Sequence, residues 1–162
     1  MKNYLLAITA IASLLFVAAF TVNPSEESEV PYPEGYRKWT HIKTGVIGPK
    51  NLNFKANGGF HHIYANDKGM TGYETGTFPE GSILVFDVIE GLDVNSNLVE
   101  GKRKYVAVMV KDSVKFKDRG GWGFEQFNAD SKTERTLNAS GKDQCYSCHV
   151  QKETMVYSKW RD

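Results

Sequence analysis

Hydrophobic and polar positions follow different patterns along this chain, and each pattern predicts a different kind of segment. From Tyr4 to Phe20 no charge interrupts an apolar run that stands behind a single Lys2, the pattern of an export signal. Val17-Ala18-Ala19 offers small residues for cleavage after Ala19, yet the run is nearly long enough to cross a bilayer. Residues 1–20 therefore read either as a removed signal peptide or as a retained anchor, and no cysteine lies nearby for a lipid anchor. Residues 21–32, TVNPSEESEVPY, are polar, acidic and proline-bearing. Such a stretch buries too little surface to fold and predicts a flexible linker. The folded domain is expected over residues 33–162, exported to the periplasm or held at the membrane if the first segment stays.

Beyond Pro33 the period shortens to two. Short β-branched and aromatic runs, marked off by Gly, Pro, Asn and Asp, predict strands over Trp39–Ile47, Gly59–Ala65, Ser82–Ile89, Lys104–Val110 and Gly123–Phe127. In the fourth, Tyr105, Ala107 and Met109 alternate with Val106, Val108 and Val110, so at least one face is buried. Turn signals such as Pro79-Glu80-Gly81 and Gly120-Gly121 leave most connections too short for a crossover helix, which favours antiparallel pairing. Short helices are expected over Asp67–Glu74, over Asp112–Asp118 with Asp112 as N-cap, and around Cys145. The fold class predicted is α+β, predominantly antiparallel β-sheet with a few short helices.

Composition narrows this only a little. A chain of 162 residues with 41% hydrophobic and 24% charged residues allows one globular core. A net charge of +1 leaves no electrostatic footprint for nucleic acid. Aromatics at 12% suit either a thick core or the lining of a flat apolar cofactor.

The chemistry is concentrated in Cys145-Tyr146-Ser147-Cys148-His149, a C-x-x-C-H motif. Two thiols three positions apart, on about one helical turn, can each form a thioether to one of the two vinyl groups of a single porphyrin. The histidine after the second thiol is carried beneath the ring, where its imidazole can hold the iron. The motif thus predicts one covalently attached haem c, with Cys145 and Cys148 as the links and His149 as the proximal iron ligand. Three plainer readings compete. An exported pair of cysteines often oxidises to a disulfide; a redox C-x-x-C pair belongs near a βαβ pattern, which the chain lacks; zinc needs two more ligands than the chain supplies at suitable spacing.

Around the motif the chain resembles the cytochrome P-460 family, whose members include cytochrome c′-beta. The resemblance runs from about Pro33 to the C-terminus. It is carried by Pro33-Glu-Gly-Tyr-Arg-Lys-Trp39, Gly76-Thr-Phe-Pro-Glu-Gly-Ser82, Val110-Lys-Asp112, Gly120-Gly-Trp-Gly-Phe124, the haem motif and Thr154-Met-Val-Tyr157. It implies a mainly antiparallel sheet, a periplasmic location, a homodimer and a five-coordinate haem whose open face takes small nitrogen-containing ligands. One branch of the family oxidises hydroxylamine and uses a lysine cross-linked to the porphyrin; the other lacks the cross-link and binds nitric oxide or carbon monoxide. Phe86 stands where the cross-linking lysine is expected, and Ala107 where the oxidising branch has a carboxylate near the iron. Proton removal from hydroxylamine needs a base within hydrogen-bond reach. Both departures point to a diatomic-binding pocket.

That reading makes Phe86 and Phe60 the expected lining of the open face, with Phe78 a weaker candidate, although each phenylalanine is equally at home as core packing. Two further readings stay open: a hydroxylamine oxidoreductase, and an electron-transfer cytochrome that works with a redox partner protein and takes a sixth ligand from Met70, Met109 or Met155. His61 and His62 point to opposite sides of a strand and are expected to be structural or surface residues. Glu125 reads as a haem-side acid or a solvated strand residue, Arg119 as a partner for a haem carboxylate, and Lys111 with Asp112 as a surface pair.

Overall fold

The computed structural model describes residues 30–161. The signal or anchor expected at residues 1–20 lies outside the described residues, as does the linker up to residue 29. The linker does not extend to residue 32. Val30 is buried at 1% exposure and Tyr32 packs on the same cluster, while the Val30 carbonyl accepts a 2.8 Å hydrogen bond from Arg135 Nη1. An apolar residue that finds a core cavity and a donor for its carbonyl joins the fold however polar its neighbours are. Among the described residues, no helix is long and apolar enough to cross a membrane.

The period-two segments form one sheet. Strands β1 (Thr40–Ile47), β2 (Gly59–Ala65), β3 (Ile83–Val94), β4 (Asn97–Lys111) and β5 (Trp122–Asn128) lie in the order β1-β2-β3-β4-β5, each antiparallel to the next. Helices α1 (Phe54–Asn57), α2 (Asp67–Thr75) and α3 (Ala139–His149) complete the mainly antiparallel α+β architecture.

β3 and β4 are longer than the sequence predicts. Their outer halves pair from Gly91↔Glu100 to Val94↔Asn97 and turn through Asn95 and Ser96, both at positive φ. Two positive φ values are what a two-residue hairpin needs to match the twist of its strands. The helix expected over Asp112–Asp118 is replaced by turns and a single 3-10 turn, Lys117–Arg119. Asp112 does cap the segment, accepting from the amides of Val114 and Lys115 at 3.1 and 2.9 Å. Phe116 is drawn into the core, and Gly120 and Gly121 at positive φ end the run before a helix can propagate.

Register decides what each face carries. Ile63 pairs with Phe86, Phe86 with Ala107 and Ala107 with Gln126, so these four share one face. The opposite face buries Val85, Val106, Val108 and Phe127 against Val30, Tyr36 and Phe116. That face also holds Asp87, fully buried, which accepts from Tyr36 Oη at 2.6 Å, Arg37 Nη2 at 2.8 Å and Arg103 Nε at 2.8 Å. Three donors on one carboxylate satisfy a charge that would otherwise be costly to bury. α2 is capped by Asn66, whose side-chain oxygen accepts from the Gly69 amide at 2.8 Å and from the Ile83 amide at 2.9 Å, tying the helix start to the head of β3.

Candidate functional site

The C-x-x-C-H segment is the second half of α3. Asn138 opens the helix with its side chain accepting from the Gly141 amide at 2.8 Å. The half-buried positions Gly141, Lys142, Cys145, Tyr146 and His149 recur at helical spacing, so one stripe of α3 faces the sheet. Yet no residue of this helix is fully buried. The helix presents its stripe to the protein without being packed down on it, which leaves room for a group between helix and sheet.

Two ion pairs hold α3 in place. Lys142 Nζ lies 3.0 Å from Glu125 Oε2, which also accepts from Arg135 Nη1 at 2.9 Å, and the Glu125 side chain is fully buried. β5 is an edge strand, so a side chain from α3 can pass it to reach Glu125. The next residue, Asp143, accepts from Arg119 Nε and Nη2 at 2.9 and 2.6 Å. Arg119 and Glu125 therefore anchor the helix, where the sequence alone predicts a partner for a haem carboxylate and a haem-side acid or solvated strand residue. Lys111 pairs with Glu80, not with Asp112.

His149 ends α3, and its ring is fixed from outside the helix. Nδ1 donates to the Met155 carbonyl at 2.7 Å, and Met155 sits at φ 64° to present that oxygen. Phe124 and Tyr157 each place a ring 5.3 Å from the imidazole. Burial lowers the His149 pKa, only partly opposed by the Met155 carbonyl, so the ring is neutral near pH 7. A neutral imidazole with its proton committed at Nδ1 has a bare Nε2, the state in which histidine binds a metal. The chain folds back over this end through Tyr157, whose hydroxyl donates to the Cys148 carbonyl at 2.8 Å.

Both cysteines are free thiols, Cys145 half-buried and Cys148 exposed. Burial pushes the Cys145 thiol up, with the neighbouring Cys148 adding to the effect. A redox C-x-x-C pair needs the opposite, a thiol lowered by a helix N-terminus or a cation. Cys145 stands in the C-terminal half of α3, where the helix dipole gives no such help.

His149 and Cys145 open into an almost wholly apolar cleft of about 310 Å³ between α3, the C-terminal segment and the sheet. Across it stand Ile63, Phe86 and Ala107, with Met109 and Phe124 nearer His149. Phe86 and Ala107 are direct cross-strand partners on this wall. The cleft, Cys145 and the bare imidazole nitrogen fit a flat apolar group; Cys148, exposed one helical turn on, does not line the cleft.

Phe60 does not belong to the cleft. It stacks on His62 on the other face of β2, because its parity is that of His62 and Tyr64 and opposite to that of Ile63. Phe78 is core, edge-on to Tyr73 and Trp122. Met70 and Met155 pack on the core cluster around Trp122 and Phe124. Met109 lines the cleft, but it pairs across strand with Phe124, whose ring rests against His149, so its thioether is at the His149 end. Leu137, Val156 and the Met155 carbonyl complete the site; they carry no motif, and only the Thr154–Tyr157 segment was marked in the sequence.

A family model described as Cytochrome P460 matches residues 33–158. No curated protein matches the chain.

Proposed function

The chain belongs to the cytochrome P460 family and is by that membership a haem protein; we propose that it is an exported c-type member which binds small diatomic ligands such as nitric oxide. Cys145 and Cys148 would form the thioether links to one haem and His149 Nε2 would hold its iron, which would supply a site for a diatomic gas. The side chains do the rest. The Met155 carbonyl keeps the proton on His149 Nδ1 and the ring in one orientation. Ile63 and Phe86 exclude water from the facing wall, while Ala107 leaves room there for a small molecule.

The observation that carries this reading is the pairing of a bare His149 Nε2 with a facing wall of Ile63, Phe86 and Ala107, which offers neither a competing ligand nor a base. Hydroxylamine oxidation needs a proton acceptor, and Glu125 is already engaged by Arg135 and Lys142. Export rests on the uncharged apolar run Tyr4–Phe20. The test is an optical series on protein matured with its haem: oxidised, reduced, and reduced with nitric oxide. A high-spin resting spectrum that changes on gas addition is expected. A low-spin six-coordinate spectrum indifferent to the gas, or dye-linked turnover of hydroxylamine, would overturn the proposal.

A further inference from the structure

His61 occupies the cleft-facing side of β2, two positions before Ile63. Its imidazole is held between two neighbours. Toward β1 it covers Gly45, where a Cβ would collide with Nε2, so the ring fills space that any other residue at 45 would take. Toward β3 it stacks on Phe86, with centroids 4.9 Å apart and planes at 24°. Between them, Nδ1 is buried with no hydrogen-bond partner among the described residues.

Packing does not explain a histidine here. A phenyl ring would make the same stack and fill the same space over Gly45 without a polar atom to satisfy. Buried polar atoms in folded proteins are nearly always paired, and an orphan points to a partner outside the fold. Burial lowers the His61 pKa, with the charges of Lys43 and His62 adding to it, so the ring is neutral near pH 7 and carries one N–H donor. Phe86 is the only residue that stacks on this ring among the described ones, and it lines the cleft. The imidazole thus stands one aromatic ring behind the ligand space. Beyond Phe86, the Tyr105 hydroxyl is already committed to Asn57 Oδ1 at 2.8 Å.

We propose that His61 is a hydrogen-bond donor of the ligand compartment, reaching a small molecule held in the cleft when the Phe86 ring turns aside. The inference rests on the gas-binding reading and adds to that site a second donor: besides the Gln126 amide, which already lines the cleft, a diatomic ligand would meet one retractable imidazole. His61 would then discriminate between ligands that accept a hydrogen bond at their outer atom and those that do not.

Carbon monoxide on the reduced, haem-loaded protein is the probe, and its C–O stretching frequency is the readout. A donor to the outer oxygen lowers that frequency, so His61→Phe should raise it. The same variant should release carbon monoxide about three- to tenfold faster, the loss expected for one neutral hydrogen bond. Its thermal midpoint should hold or rise, because the orphan nitrogen is gone; a residue kept only for structure would lose stability instead. Should His61→Phe fail to fold, His61→Leu takes its place, since exchange into D2O also reports the Gln126 amide that lines the cleft. A stretch unmoved by either substitution overturns the inference and leaves gas binding intact. A wild type that takes up no carbon monoxide overturns both.

Discussion

Replacing Glu125 with alanine should loosen the cysteine-bearing helix from the sheet, and the structure sets the scale of the effect. The side chain is fully buried; Oε1 accepts from the Gln126 amide at 3.0 Å and Oε2 from Arg135 and Lys142 at 2.9 and 3.0 Å. Breaking a buried pair by removing one partner typically costs about 3–5 kcal/mol, because the remaining charge is stranded. Here Lys142 is 23% exposed and can turn to water, while Arg135 keeps the Val30 carbonyl and the Phe127 ring, so the low end, ~3 kcal/mol, applies. For a domain of this size that corresponds to a fall of roughly 10 °C in Tm. The assay is far-UV circular dichroism on the haem-free chain, with both thiols replaced by serine so that covalent attachment does not intervene. Glu125→Gln, which keeps one acceptor oxygen, should fall between the two. A Glu125→Ala variant melting within about 2 °C of its parent, a change of less than ~1 kcal/mol, would refute the claim that this carboxylate anchors α3.

Other perturbations have equally definite outcomes. Burial alone would raise the Asp87 pKa, but hydrogen bonds from Tyr36, Arg103 and Arg37 outweigh it and hold the carboxyl below its usual range. A group depressed in the folded state stabilises fully above its unfolded pKa, near 3.9, and loses that contribution as pH falls through the folded value. Acid unfolding followed by tryptophan fluorescence should therefore steepen below about pH 4 in the wild type and flatten there in Asp87→Asn. Gly45→Ala places a Cβ against the His61 ring and should cost about 1–3 kcal/mol in urea unfolding, the range for overpacking. Phe86→Ala removes a half-buried wall residue; it should cost roughly 2 kcal/mol, less than for a fully buried phenylalanine, and speed carbon monoxide association measured by flash photolysis.

What could be read without coordinates follows the range of the forces involved. The five strands were legible because each buries one face, and burial writes its period directly into the residues. The outer half of the β3–β4 hairpin was not. Leu92, Val94, Leu98 and Val99 in this hairpin end are all exposed, so no buried face writes a period there, and the turn uses Asn95-Ser96 in place of the usual glycine. The helix that carries Cys145, Cys148 and His149 was legible since five consecutive residues hold the whole motif. The Met155 carbonyl that orients His149 was not, because a backbone oxygen is no residue type. Phe60 and Phe86 show the same limit from another side. Both are strand phenylalanines, and only the register Ile63↔Phe86 decides that odd-numbered β2 residues face the cleft. A slip of β2 by one residue would have put Phe60 on the cleft face. The buried His61 nitrogen without a partner among the described residues was not legible for a related reason, since burial of a single ring atom is visible only in three dimensions.

The central claim is that the Cys145–His149 segment carries the haem. Proteolysis of the matured protein followed by mass spectrometry of the peptide spanning residues 143–152 tests it most directly. The account predicts one haem on that peptide, lost only when both Cys145 and Cys148 are replaced. Recovery of the peptide at the mass of its amino acids, with both thiols open to alkylation or joined to each other, would contradict it.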